Sequence, residues 1–314
     1  MVLLANIFSP GWTMPRPLWL RILILCGLAF IVPNARADLS QKQARKLISR
    51  MPGFELTSSS LRIKSITTSG ASAAEVIAEI RTVFKFEKDK QGSWRVAQVR
   101  TRPDHWEDIA LVAKALGSSM TVADCNAIDP PLKRASAVDP SVKRVRCLLG
   151  SLLSVQIPSD AVRIQEVASL SIPLASQPSA LVVAWIRVDA RILKGGKGWE
   201  VGELRTGTAE WVKLHSTIAA LNHAKEQQAR EELESMAKAL ELFRGQRGFY
   251  VVSEKHSVAI DHLNPRYLPR VIRVDPWHEP YKYDGQRDRF TLRSSGPDGK
   301  DNTADDITLS SPSR

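Results

Sequence analysis

The chain has 314 residues, a quarter of them charged, with 43% hydrophobic residues and 44 basic against 33 acidic side chains. That balance excludes a disordered polyelectrolyte and leaves room for two or three folded domains. The net charge of +11 is spread along the chain, with no arginine-rich run and no basic patch interleaved with aromatics, so nucleic acid is not an expected partner.

Arg16 and Arg21 precede an apolar run, Ile22 to Val32, that Pro33 ends. At 11 residues the run is too short for a spanning helix, which needs about 20. It suits the core of a secretory signal, and Ala35-Arg36-Ala37 offers small residues for the peptidase. Residues 1–37 are therefore expected to be a signal peptide cleaved before Asp38, which sends the chain to the periplasm or outside the cell. The alternative is an uncleaved anchor. No later segment is apolar enough to span a membrane. Cys26 leaves with the signal, so Cys125 and Cys147 remain. Two cysteines in an exported chain can form a disulfide, worth about 3 kcal/mol for a loop of about 20 residues. The alternative is two buried thiols.

An internal repeat follows. Leu61-Arg-Ile-Lys-Ser-Ile66 matches Val162-Arg-Ile-Gln-Glu-Val167, and Ala78-Glu-Ile-Arg81 matches Ala184-Trp-Ile-Arg187. Trp94 to Thr101 matches Trp199 to Thr206, and Trp106 and Trp211 close the series. Each copy opens with an amphipathic helix, on Ala44, Leu47, Ile48 and Met51 or on Val145, Leu148, Leu149 and Leu152. Strands come next. Val76, Ala78, Ile80, Thr82, Phe84 and Phe86 alternate with mostly polar neighbours, as one half-buried strand would. Lys88 to Gly92 and Lys194 to Gly198 read as hairpin turns, and a helix is expected to start near Trp106 and near Trp211. The pattern in each copy is helix, three strands, helix, which resembles cystatin-like and NTF2-like folds. The recurring tryptophans read as packing of sheet against helix. Ser118 to Pro140, with three prolines among small residues, reads as a linker. The boundaries expected are 38–117 for the first unit, 118–222 for the linker and second unit, and 223–314 for a third domain.

From Trp211 to about Phe243 the spacing of Leu214, Ile218, Leu221, Leu233, Met236, Leu240 and Phe243 is helical, with a polar gap from Lys225 to Glu232. This helix either bridges two domains or breaks near Asn222. Gly245 to Tyr250 reads as its stop.

The C-terminal segment packs Asp298, Asp301, Asp305 and Asp306 into one loop, with Gly296, Pro297 and Gly299 making tight turns. Carboxylates crowded this way repel, and a hard cation would relieve them. Calcium takes six to eight oxygens in flexible geometry. The loop holds no His or Cys, against zinc or copper, and it lacks the terminal glutamate of an EF-hand. The alternative is an acidic, solvated turn.

These motifs carry a family resemblance. Leu-Phe-x-Gly-x-x-Gly-Phe-Tyr ending at Tyr250, Asp275-Pro-Trp-x-x-Pro-Tyr-x-Tyr283, and Ser294-x-Gly-Pro-Asp-Gly leading to Asp305-Asp-Ile307 resemble the major pseudopilin of type II secretion systems over roughly Ala224 to Ile307. The expected fold is α+β: the repeat gives two helix-plus-antiparallel-sheet units, and the resemblance implies that a long helix and a small pseudopilin-like β-sheet domain with a calcium loop follow them. It implies one Ca2+, with carboxylates from Asp298, Asp305 and Asp306, backbone carbonyls from Ser295 and Lys300, and the hydroxyl of Thr303. Asp301 falls outside the family's ligand pattern. His278 and Glu279 stand where the family has Gly-Asn, and the N-terminal segment does not read as a prepilin leader.

Metalloprotease and serine-hydrolase motifs are not found, and His256, Asp261 and His262 lie in an expected loop without a catalytic spacing. The expected function is a calcium-stabilised, non-enzymatic binding or structural protein of the bacterial envelope, with envelope or secretion-system proteins as partners. The alternatives are a periplasmic small-ligand-binding protein using the duplicated units, or an uncharacterised hydrolase.

Overall fold

The computed structural model describes residues 39–89, 91–115, 125, 140–152, 161–170, 178–207 and 210–312. The expected signal peptide and most of the linker lie outside the described residues. Among those described, no helix is long and apolar enough to cross a membrane.

Helix α1 (Gln41–Ser49) starts with a capping box. The Ser40 hydroxyl accepts the Gln43 amide at 3.2 Å, and Gln43 Oε1 accepts the Ser40 amide at 3.0 Å. Each bond satisfies a donor that the helix itself leaves free. Four strands follow: β1 (Leu61–Ser69), β2 (Ala73–Lys88), β3 (Trp94–Arg102) and β4 (His105–Asp108), then α2 (Ile109–Ala115). The order recurs as α3 (Val142–Leu152), β5 (Val162–Leu170), β6 (Ser179–Gly195), β7 (Gly198–Arg205), β8 (Val212–Lys213) and α4 (Leu214–Arg247). The last region comprises α5 (His256–Leu263), β9 (Lys282–Gly285), β10 (Phe290–Ser294) and β11 (Ile307–Ser310). The architecture is α+β.

All eight strands of the first two units form one antiparallel sheet. Its spine is the pairing of β2 with β6 over Ala73↔Leu193 to Glu87↔Ser179. Ile80 faces Ile186 there, and these are the positions equated when the two copies are aligned in sequence. β1 and β5 flank the spine, each interrupted by a register shift at matching places, Ile63/Ser65 and Ile164/Glu166. Side chains alternate across a strand, so Val76, Ala78, Ile80, Phe84 and Phe86 enter the core as their spacing predicts. The apolar face divides into two clusters. Phe84, Phe86, Trp94 and Val182 pack with Val145, Leu148 and Leu149 of α3, and Val76, Ile80 and Ile192 pack with Ala44 and Ile48 of α1. Cys125 is disulfide-bonded to Cys147 of α3 and is buried in the same cluster.

The structure departs from the sequence reading at several points. The helices expected near Trp106 and Trp211 begin slightly later, at Ile109 and Leu214, after short strands. Trp106 lies in the short strand β4, and Trp211 precedes β8. Both meet arginines: Arg100 lies 5.9 Å from Trp106, while Arg191 and Arg205 lie 4.1 and 4.3 Å from Trp211. Trp94 and Trp199 do pack against the core. Helix α4 takes the bridging alternative, with no break near Asn222. Its stop falls within the expected Gly245 to Tyr250, at Gly248, whose φ is 80° and whose amide donates to the Arg244 carbonyl at 2.7 Å. A left-handed residue at that position is inexpensive only for glycine. His256 and His262 lie on helix α5 rather than in a loop.

The N-terminal part of α4 meets the sheet core through Leu214 and Ile218. Its C-terminal part joins a third core through Leu233, Met236, Leu240 and Phe243, packed with Tyr250, Ile260, Tyr281, Tyr283, Phe290 and Ile307. The polar gap in its pattern is the stretch between the two cores.

Candidate metal centre

The last three strands form a sheet in the order β11-β10-β9. Ser294 at the end of β10 pairs with Ile307 at the start of β11, so residues 295–306 form a loop whose ends are held together. Gly296 is required at its first bend. Its φ is 63°, and a Cβ there would lie 2.3 Å from the Asp305 carbonyl oxygen.

The loop folds around its own carboxylates. Asp305 Oδ2 accepts the Asp298 amide at 3.0 Å, Asp298 Oδ1 accepts the Lys300 amide at 2.8 Å, and Asp306 Oδ2 accepts the Asn302 amide at 2.9 Å. Four oxygens then meet on the Thr303 hydroxyl. Asp305 Oδ1 lies 2.6 Å from Oγ1, the Lys300 carbonyl oxygen 3.2 Å, and Asp298 Oδ1 and Asp306 Oδ1 3.4 Å each. A hydroxyl carries one proton and can donate to only one of them. Three carboxylate oxygens and a carbonyl thus converge with one proton to share. Donation from Thr303 and from the Asp298 amide holds the Asp305 carboxyl below the usual carboxylate range.

The donor set is all oxygen, mixing carboxylate, carbonyl and hydroxyl, which fits a hard cation such as calcium. Among the described residues, no three acidic, histidine or cysteine groups already close on a common point. The oxygens meet on Thr303 instead. Of the six expected ligands, the structure brings together Asp298, Lys300, Thr303, Asp305 and Asp306. Ser295 is buried at the root of the loop and donates its hydroxyl to Asp301 at 2.8 Å. Asp301 also pairs with Lys282, which draws it away from the cluster. Those two donors hold its carboxyl below the usual range.

The loop is braced by the Asp275-Pro-Trp-His-Glu turn. Asp275 is 2% exposed. Its Oδ1 accepts the amides of Trp277 at 3.0 Å and Glu279 at 2.9 Å, and its Oδ2 accepts the Ser294 hydroxyl at 2.5 Å. Burial pushes its carboxyl up, against the pull of these three donors. Trp277 Nε1 donates to Asn222 of α4 at 3.2 Å. His278 adopts φ 73°, and its ring stands edge-on to His105 of β4 with centroids 4.2 Å apart. The Tyr281 hydroxyl donates to Glu232 of α4 at 2.8 Å and that of Tyr283 to the Val251 carbonyl at 2.6 Å. Burial raises both phenols. The aromatic motif residues are thus core packing with a satisfied polar tip.

Two residues beside the loop were read in the sequence as motif positions but not assigned to it. Asp275 supports it from beneath, and Glu279 lies against it, because a Cβ on Gly299 would sit 3.6 Å from Glu279 Cγ. Asp275 opens a recognisable Asx turn, but its bond to Ser294 joins positions 19 residues apart. Elsewhere, a cleft of about 520 Å3 lies between α2, α4 and the 268–272 segment, where Lys114, Glu231, Glu232 and Arg270 are among its walls and none of the repeated tryptophans is.

A long helix with one face packed on a three-stranded sheet, and an all-oxygen loop joining two of its strands, make up a pilin-like lobe. A family model described as type II secretion system (T2SS), protein G, matches residues 216–310, and the C-terminal domain resembles that protein. No curated protein and no solved structure gives a significant match to the chain.

Proposed function

We propose that this chain is an exported, non-enzymatic binding or structural protein of the bacterial envelope, which binds partners of a type II secretion system and is stabilised by one Ca2+. The observation that carries this reading is the convergence of Asp298, Lys300, Thr303, Asp305 and Asp306 oxygens within a domain matched by the protein G model. Calcium would supply the positive charge these oxygens share and would lock β10 to β11 through the loop. In this reading Asp298, Asp305 and Asp306 give carboxylates, Ser295 and Lys300 carbonyls and Thr303 its hydroxyl. The disulfide between Cys125 and Cys147 suits an oxidising compartment.

The test is thermal unfolding of residues 38–314 in EDTA and in millimolar Ca2+, beside Asp305→Ala. At a hundred times the dissociation constant, calcium should add about 2.7 kcal/mol to the wild type and almost nothing to the variant. No shift in the wild type refutes the calcium reading. Pull-down from an envelope extract of a secreting strain tests the partner class, and recovery of no secretion component argues against it.

A further inference from the structure

We infer that Glu279 is an additional carboxylate of the metal centre, lying against the loop from outside and raising its affinity for Ca2+ by charge rather than by ligation. The inference rests on the calcium reading above. It starts from where the backbone puts this side chain. The Glu279 amide donates to Asp275 Oδ1 at 2.9 Å, and its carbonyl accepts the Asp275 amide at 2.8 Å. The same Asp275 holds Ser294, the residue from which the loop departs. Glu279 and the loop are therefore anchored to one buried carboxylate.

Its side chain then lies over Gly299. A Cβ on that glycine would be 3.6 Å from Glu279 Cγ and 3.7 Å from Cδ and Oε1. Gly299 sits between Asp298 and Lys300, two residues whose oxygens meet on Thr303. Among the described residues, the Glu279 carboxylate makes no hydrogen bond or ion pair. Of the cations on the loop and its flanking strands, Lys282 pairs with Asp301 and Arg293 with Asp306, while the charge of Lys300 acts on Asp305. An unpaired negative charge beside an already acidic loop raises the energy of the empty site and lowers that of the filled one. Charges acting through solvent at this range alter affinity by about fivefold and are screened by salt.

The experiment is calorimetric titration of residues 38–314 with CaCl2, for wild type, Glu279→Gln, Glu279→Asp and Asp305→Ala, each at low ionic strength and at about 0.5 M KCl. Glu279→Gln should weaken binding about fivefold at low salt, the gap should close in high salt, and Glu279→Asp should restore most of it. In EDTA, Glu279→Gln should melt no lower than wild type, which a merely structural role would not give. Wild-type affinity in Glu279→Gln, with binding lost in Asp305→Ala, overturns this inference and leaves the calcium reading intact. A gap that persists at high salt overturns the charge mechanism. Absence of binding by the wild type overturns both.

Discussion

Lys225 of α4 donates to Glu107 Oε1 of β4 at 2.8 Å and lies 2.7 Å from Oε2, with the two side chains 4% and 12% exposed. This pair joins the sheet to the helix that enters the pilin-like lobe. Beside it, the ring of His105 meets that of His278, and Lys114 of α2 donates to Gln227 of α4 at 3.0 Å. The polar gap in the helical pattern is thus a junction where charge is buried and paired.

Breaking that pair strands a charge. Lys225→Met should destabilise the chain by about 3 kcal/mol, because Glu107 is left buried without its partner. Adding Glu107→Leu should recover much of the loss. Urea unfolding of the two single variants and the double measures this coupling, and additive losses would argue that the residues do not interact.

Acid should loosen the same fold. Burial, the nearby His278 ring, Arg102 and Lys225 lower the pKa of His105, opposed by Glu107. Burial, with Arg273 nearby, lowers that of His256 to about 4. Both groups therefore bind protons more weakly folded than unfolded. Their contribution is present above the unfolded value of about 6.5. It is lost as pH falls below that, down to about 4 for His256. Melting temperature measured in EDTA from pH 7.5 to 4.5 should drop, and His256→Leu should flatten part of the slope. An unchanged slope in that variant would show that its imidazole does not titrate this way.

Reduction should act on the sheet rather than on the calcium loop. The Cys125–Cys147 link spans a sequence separation of 22, and removing it through Cys125→Ser/Cys147→Ser should cost about 3 kcal/mol. Calcium affinity should be unchanged, since the bond touches only α3 and the core beneath it. Parallel chemical denaturation and calcium titration separate the two effects.

Gly296→Ala should damage the loop itself. The added carbon would lie 2.3 Å from the Asp305 carbonyl oxygen at a residue with φ 63°. The backbone strain alone costs about 1 kcal/mol, and the clash displaces Asp305. The calcium-dependent rise in melting temperature should shrink or vanish, while Gly245→Ala, in the open last turns of α4, should leave it intact.

Much of the core was legible in the sequence, because β2 alternates over most of its length, broken only at Thr82, which is not buried, and Val83, which is. The 16 residues of β2 announce their inner face from Ala74 to Phe86. What pairs with β2 was not legible, since the Ile80–Ile186 contact joins two copies and alternation does not name a strand's neighbour. The short strands β4 and β8, at Trp106 and just after Trp211, were hidden by apolar residues that also suit the helices after them. Helix α5 was missed because it has no side-chain cap and is only eight residues long. The ligand residues of the loop were visible through their crowding, as isolated carboxylates would not have been. Asp275 and Glu279 were not assigned to the centre, because only the folded turn carries them to it.

Helix α4 consists of 34 residues, a rod of about 50 Å, and both the sheet core and the pilin-like core are built onto it. With no break along its length, it works as a ruler rather than a hinge. The rim of the sheet and the acidic loop are held at a set spacing and a set rotation. A partner that touched both would meet them at that separation.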